Sequence, residues 1–279
     1  MSIADPVALN QWHVVAAFPE LPIGRPRRTQ LLDADLTLIR DQAGTVSALR
    51  GDARLPVLIR FGYVWTSLGA PPADIFDIPE YAEPDRRNMS GGSVGLHVSA
   101  PRAVENFLDL GHFAFVHTNY LGVEPHTEIK PYTVMVANGE VVATNCRAWQ
   151  PMASIAATEG FEVDYVYRVP HPFCAVLYKT NVVDPARRDV IGLFMQPVEQ
   201  ERSVAHLLVS YLDDVSSDTA LKGFQQLIFA QDKPILENQV PKRLPLSLRA
   251  EISAKADASS AAYRRWLSDC GVQYGTIPA

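Results

Sequence analysis

The chain has 279 residues, of which 47% are hydrophobic and 20% charged, and 25 Lys and Arg against 31 Asp and Glu give a net charge of −6. This balance excludes disorder and fibrous repeats, and it leaves no overall basic footprint for nucleic acid or anionic lipid. No apolar run reaches the roughly 20 residues of a spanning helix, and the N-terminus lacks the charged-then-apolar layout of a signal peptide. A cytoplasmic protein with protein and small-molecule partners, no membrane and no nucleic acid, is therefore expected.

In chain order, residues 29–50 alternate apolar and polar positions between the turn signals Asp33-Ala34-Asp35 and Ala43-Gly44, which predicts short antiparallel strands. A second strand signal runs from Pro56 to Gly69, and Pro71-Pro72 then marks a boundary between a small β unit (1–70) and a larger one (71–279). After the strand SVGLHVSA, the stretch from Pro101 to Asn119 has a favoured helix start and helical apolar spacing, so a helix is expected to hold His112 and His117. Five long strand signals follow, the first with a hairpin turn at Asn138-Gly139, and they predict one antiparallel sheet of about five to seven strands. Residues 218–239 read as an amphipathic helix kinked by Pro234, and AAYRRWLSDC as a last short helix. The fold class is α+β, with helices on one face of an antiparallel sheet and a small β unit before it.

Cys146, Cys174 and Cys270 are odd in number and match no C-x2-C or C-x-H spacing, so this chain alone holds no disulfide scaffold, zinc knuckle or iron–sulfur cluster. Chemistry concentrates instead between Asn106 and His117, where Asp109, His112 and His117 stand among aromatic and aliphatic residues. Asp109 and His112, three apart, can hydrogen-bond on a helix. His112 and His117, five apart, face about 140° from each other on a regular helix, so both reach one metal only where the helix ends or widens, for which Gly111 gives an opening. Two satisfied histidines are the alternative.

Far downstream, Asp232 places a carboxylate on an otherwise apolar helix face, and two neutral imidazoles with one carboxylate suit non-haem iron(II). Its alternative is a surface residue paired with Lys233 or another cation. Gln225, two helical turns before Asp232, is a candidate polar contact for a flat substrate or else a solvated glutamine. Phe113, Phe173 and Phe224 are candidate cavity walls or ordinary core.

Together these residues resemble the terminal oxygenase subunits of the Rieske non-haem iron family. The spacing N-x2-D-x2-H-x4-H is matched at Asn106, Asp109, His112 and His117, and D-x4-E at Asp232 and Glu237; the stretch from Asn10 to Leu49 looks like the opening of the family's cluster-binding domain. The resemblance implies a helix-grip-like catalytic domain, His112, His117 and Asp232 as ligands of mononuclear Fe(2+), and Asp109 as the bridge for electron entry. The departure is sharp: the chain passes from Ala48-Leu49 through GDARLP to IRFGYVW without the C-x-H and C-x2-H elements that hold a [2Fe–2S] cluster.

A cluster supplied by a partner is thus implied. The layout is similar to an N-demethylating branch of the family that acts on a methylxanthine, which implies a Rieske-bearing reductase, a glutathione-transferase-like companion and a hetero-oligomer built on a trimer. In that reading 7-methylxanthine, O2 and NAD(P)H-derived electrons give xanthine and formaldehyde. A noncatalytic scaffold subunit is the competing reading, favoured by the missing lobe and disfavoured by retention of all three ligand types. A zinc hydrolase uses similar ligands but explains neither Asp109 nor the N-terminal stretch.

Overall fold

The computed structural model describes residues 5–155, 157 and 159–279. After the single-turn helix α1 (Pro6–Leu9), the N-terminal strands are β1 (His13–Ala17), β2 (Arg27–Leu31), β3 (Ala34–Arg40), β4 (Val46–Arg50), β5 (Ala53–Leu55), β6 (Val57–Arg60) and β7 (Tyr63–Thr66). They form two small sheets, a meander of β2-β3-β4-β5 and a three-stranded sheet ordered β1-β7-β6. The first hairpin turns at Leu32-Asp33, both at positive φ, so Ala34 and Asp35, expected in the turn, already belong to β3.

Then come β8 (Arg87–Leu96), α2 (Ala100–Leu108), α3 (Phe113–Val116), β9 (Thr133–Ala137), β10 (Glu140–Gln150), β11 (Phe161–His171), β12 (Cys174–Thr180), β13 (Arg188–Glu199), β14 (Arg202–Tyr211), α4 (Asp218–Glu237) and α5 (Ala258–Cys270). Seven of these strands make one antiparallel sheet, ordered β8-β14-β13-β12-β11-β10-β9. Asn138 and Gly139, at φ +53° and +80°, make the tight β9–β10 hairpin read from the sequence.

Strand periodicity divides the core in two. Ala175, Leu177, Ile191, Leu193, Ala205 and Leu207 belong to the main core, against which α2, α4 and α5 pack. Their neighbours Cys174, Val176, Val190, Phe194 and Leu208 point the other way, onto Val14, Phe61, Tyr63 and Trp65 of the three-stranded sheet. Covered on both sides, β13 is buried from Asp189 through Val198, and its middle, residues 190–195, reads as an apolar run without alternation. The helices do lie on one face, and the three-stranded sheet roofs the other.

The expected helix over 101–119 is broken. Ser99 caps α2 and Pro101 sits in its first turn, but Asp109 leaves the helix at φ −85°, ψ 121°. Its carboxylate accepts from the Gly111 N–H at 2.7 Å, a local turn that competes with the helical ladder. The two histidines then flank the single turn α3. Helix α4, in contrast, runs from Ser217, whose hydroxyl caps it, through Pro234 to Glu237. No helix among the described residues is long and apolar enough to cross a membrane.

Burial holds the pKa of His13 down at about 4, against its hydrogen bond to the Ala8 carbonyl and the charge of Asp5. The unfolded chain takes up that proton near 6.5, so unfolding binds protons between the two values and stability falls as pH drops through that window. His13 alone should lower unfolding free energy by about 3 kcal/mol at pH 4 relative to neutral pH. Urea titrations of the wild type and His13→Gln test this: the variant should lose about one proton of pH dependence, and identical slopes would discard it.

Candidate metal centre

The broken helix and α4 converge on one point. His112 Nε2 and His117 Nε2 lie 3.1 Å apart, and Asp232 Oδ1 is 3.3 Å from the first and 3.2 Å from the second. His117 is 1% exposed and Asp232 8%, so the pairing of Asp232 with Lys233 is not what the structure contains; Lys233 reaches Glu237 instead. On α4 the buried stripe is Leu221, Gln225, Phe229, Asp232 and Leu236, spaced by three and four residues, and two of its five members are polar.

Hydrogen bonds behind the imidazoles set their tautomers. His112 Nδ1–H donates to Asp109 Oδ2 at 3.0 Å, and His117 Nδ1–H donates to Gln231 Oε1 at 2.9 Å. Both Nε2 atoms therefore present lone pairs, and they present them to each other and to a carboxylate oxygen that has no hydrogen-bond partner of its own. Three converging acceptors repel unless a cation or a shared proton sits among them. With protons alone, burial opposes ionisation of His112, but the hydrogen bonds and charges of Asp109 and Asp232 outweigh it and lift its pKa to about 9. Asp232 is held down at about 2 by both histidines in spite of its burial. A divalent cation would replace the proton, and a donor set of two nitrogens and one oxygen, each anchored from behind, fits a mononuclear non-haem metal. This is the one cluster of three such groups found among the described residues.

His117 closes α3 rigidly: its carbonyl accepts from the N–H groups of Tyr120 and Leu121 at 3.0 Å each. Gly122 lies so close to Ala114 that a Cβ would approach its backbone to 2.7 Å, so the following loop is pressed directly onto that turn.

A cavity opens beside the three groups. Phe113, Phe224 and Gln225 line it, as expected, and Gln225 Nε2 donates to the Tyr211 hydroxyl at 2.6 Å. Phe173 does not: it is fully buried elsewhere and packs on the His13 ring at 5.3 Å. Strand parity explains the miss, since Phe173 precedes β12 at a turn whose backbone orientation the sequence pattern does not set. Glu237 is also away from the site, where it accepts from the His97 N–H at 2.9 Å and from Lys233.

Three contributors escaped the sequence reading. Gln231 is adjacent to Asp232, yet no spacing rule ties it to His117, 114 residues away. Lys179 and Tyr167 also line the cavity. Lys179 shares strand parity with Ala175 and Leu177, and a lysine at an inward position was the available signal. The cysteines lie apart from the site; Cys146 and Cys174 are buried and Cys270 is on the surface.

Residues 96–271 match the family model of the vanillate O-demethylase oxygenase C-terminal domain. A probable methylxanthine N7-demethylase of Pseudomonas sp. (strain TJI-51) is 48% identical over 281 residues, covering 99% of each chain. The methylxanthine N1-demethylase NdmA of Pseudomonas putida is 28% identical over 75% of this chain and 58% of its own length. Among solved structures, Pseudomonas putida CBB5 NdmA with caffeine superposes with a TM-score of 0.77 at 20% identity, covering 94% of this chain and 91% of that one. Dicamba monooxygenase bound to 3,6-dichlorosalicylic acid gives 0.76 at 16% identity, covering 95% and 97%; at such identities the likeness establishes the fold. With its oxygenase domain matched over most of its length, this chain belongs to the vanillate O-demethylase type of Rieske non-haem iron oxygenases.

Proposed function

We propose that this chain is the oxygenase component of a methylxanthine N-demethylase, converting 7-methylxanthine to xanthine and formaldehyde. The observation that carries this is the convergence of His112, His117 and Asp232 beside a largely apolar cavity, in a chain 48% identical end to end to a probable methylxanthine N7-demethylase. In this reading those three residues hold iron(II), which when bound would supply the activation of dioxygen. Insertion of one oxygen atom into an N-methyl C–H bond gives a hemiaminal, which collapses to N–H and formaldehyde. The second oxygen atom leaves as water, so each turnover takes two electrons and two protons.

The protein's share is to position the substrate and keep the ligands in register. Asp109 and Gln231 fix the two imidazoles. Phe113, Phe224 and Gln225 are the proposed walls and polar contact for the flat ring. Residues 71–279 form the catalytic unit, and 1–70 are the remnant of a cluster domain. Because the chain has no Cys-His set, a reductase carrying a [2Fe–2S] cluster is the proposed electron donor, with a glutathione-transferase-like companion in a hetero-oligomer built on a trimer.

The test is formaldehyde release from 7-methylxanthine by iron-loaded protein, assembled with a reductase that bears the extra cluster and with one that lacks it. Turnover is expected only with the first. No formaldehyde under either condition, while the assembly forms, would favour the scaffold reading.

A further inference from the structure

Lys179 is a cation in an apolar place. It is 5% exposed, and it lies on the face of β12 that carries Leu177 to the cavity beside the metal centre. Its ammonium donates to the Ala153 carbonyl, in a neighbouring cavity that Lys179 also lines, and among the described residues its two other N–H donors meet no acceptor. Asp189, opposite it on β13, accepts from Asn181 Nδ2 at 2.9 Å and from the Leu212 N–H at 3.0 Å through Oδ1, and no ion pair joins its carboxylate to the lysine among the described residues. Burial pulls the lysine's pKa to about 8, with only the charge of Asp189 working against it.

A second group at the cavity is also unsatisfied. Tyr167 on the neighbouring strand β11 is 1% exposed, and its hydroxyl has no hydrogen-bond partner. Two other buried polar groups there each have one partner within the protein: the Tyr165 hydroxyl accepts from Gln150 Nε2, and Gln225 Nε2 donates to the Tyr211 hydroxyl. Buried donors without acceptors cost free energy, and a buried ammonium with spare donors costs more than most. Such groups make sense where a ligand brings the missing acceptor.

We propose that Lys179, together with the Tyr167 hydroxyl, recognises an oxygen atom on the ring of the substrate, making Lys179 the specificity-determining residue of this cavity. The substrate class is a flat heterocycle with a ring carbonyl or its enolate, in preference to a ring of the same shape without oxygen. A purely structural lysine, tethering the segment at Ala153, is the competing role. The inference rests on the functional reading above for its main probe.

Anaerobic calorimetry on the iron-loaded chain tests it, with 7-methylxanthine, with 7-methylpurine as the same ring without oxygens, and with vanillate as an oxygen-bearing ring of another kind. Lys179→Met should weaken 7-methylxanthine binding about 10- to 100-fold, and Tyr167→Phe about 2- to 10-fold, while 7-methylpurine binding stays as weak as in the wild type. The Lys179→Met chain should melt no lower than the wild type without ligand, because an unpaired buried charge has gone; a tether would lower the melting point and leave affinity alone.

Undiminished 7-methylxanthine affinity in Lys179→Met overturns the inference and leaves the functional reading standing. If Lys179→Met does not fold, unchanged affinity in the nearly isosteric Tyr167→Phe overturns it. Lys179-dependent binding of vanillate, with none of 7-methylxanthine, overturns the functional reading and the heterocycle class, and keeps Lys179 as the contact for an oxygen on the substrate's ring. Binding of neither overturns both.

Discussion

His117→Ala should take the iron content of anaerobically reconstituted protein from one per chain to near zero. His117 is the most enclosed of the three donors at 1% exposure, and its backbone is pinned by two hydrogen bonds from the following turn. Removing it leaves one nitrogen and one oxygen donor, and the loss of affinity should exceed the ~100-fold that marks the loss of a group acting from behind a ligand. Elemental analysis on wild type and variant decides the matter. Wild-type protein that takes up zinc in preference to iron would overturn the iron assignment, and a variant that keeps its iron would remove His117 from the metal site.

The second large effect is expected at Asp109. One of its carboxylate oxygens accepts from His112 at 3.0 Å and the other from the Gly111 N–H at 2.7 Å. Asp109 also lines a separate polar recess with Arg102, Glu105 and Glu251, so its carboxylate stands between His112 and the outside of the protein. Asp109→Asn can keep the bond to His112 through its carbonyl oxygen while its amide turns toward Gly111, where two donors then face each other.

The fold should survive at a cost of about 1–3 kcal/mol, and most of the iron should stay. If Asp109 carries the path from an external cluster, formaldehyde release should slow at least ~100-fold. If it only satisfies the turn, melting temperature should drop while turnover in the surviving protein holds. Iron content, melting temperature and formaldehyde measured on one sample separate the two, and undiminished turnover would take Asp109 out of electron entry.

Much of this was legible in the chain because it is locally encoded. The hairpin at Asn138-Gly139, the strand alternation in β10 and β11 and the polar interruptions in the buried stripe of α4 are patterns of neighbouring residues. So is the contact of Asp109 with His112, although the geometry that delivers it is a turn and not the helix expected. What escaped was settled by distant packing. Gln231 meets His117 only because α4 crosses the end of α3, and Phe173 leaves the cavity because of how the β11–β12 turn is oriented. Neither residue carries a periodic signal that says so.

The roof over the second face of the large sheet decides which parts of the N-terminal strands the rest of the fold depends on. Trp65, Tyr63 and Val14 seal the side of β12 and β13 that the helices do not reach, and Tyr63 bonds the Leu207 carbonyl at 2.6 Å. Between β4 and β6, by contrast, only the short strand β5 intervenes, and it belongs to the meander, which adds nothing to that seal. The segment between β4 and β6 can therefore change length without opening the seal, whereas the three-stranded sheet is masonry for the rest of the molecule.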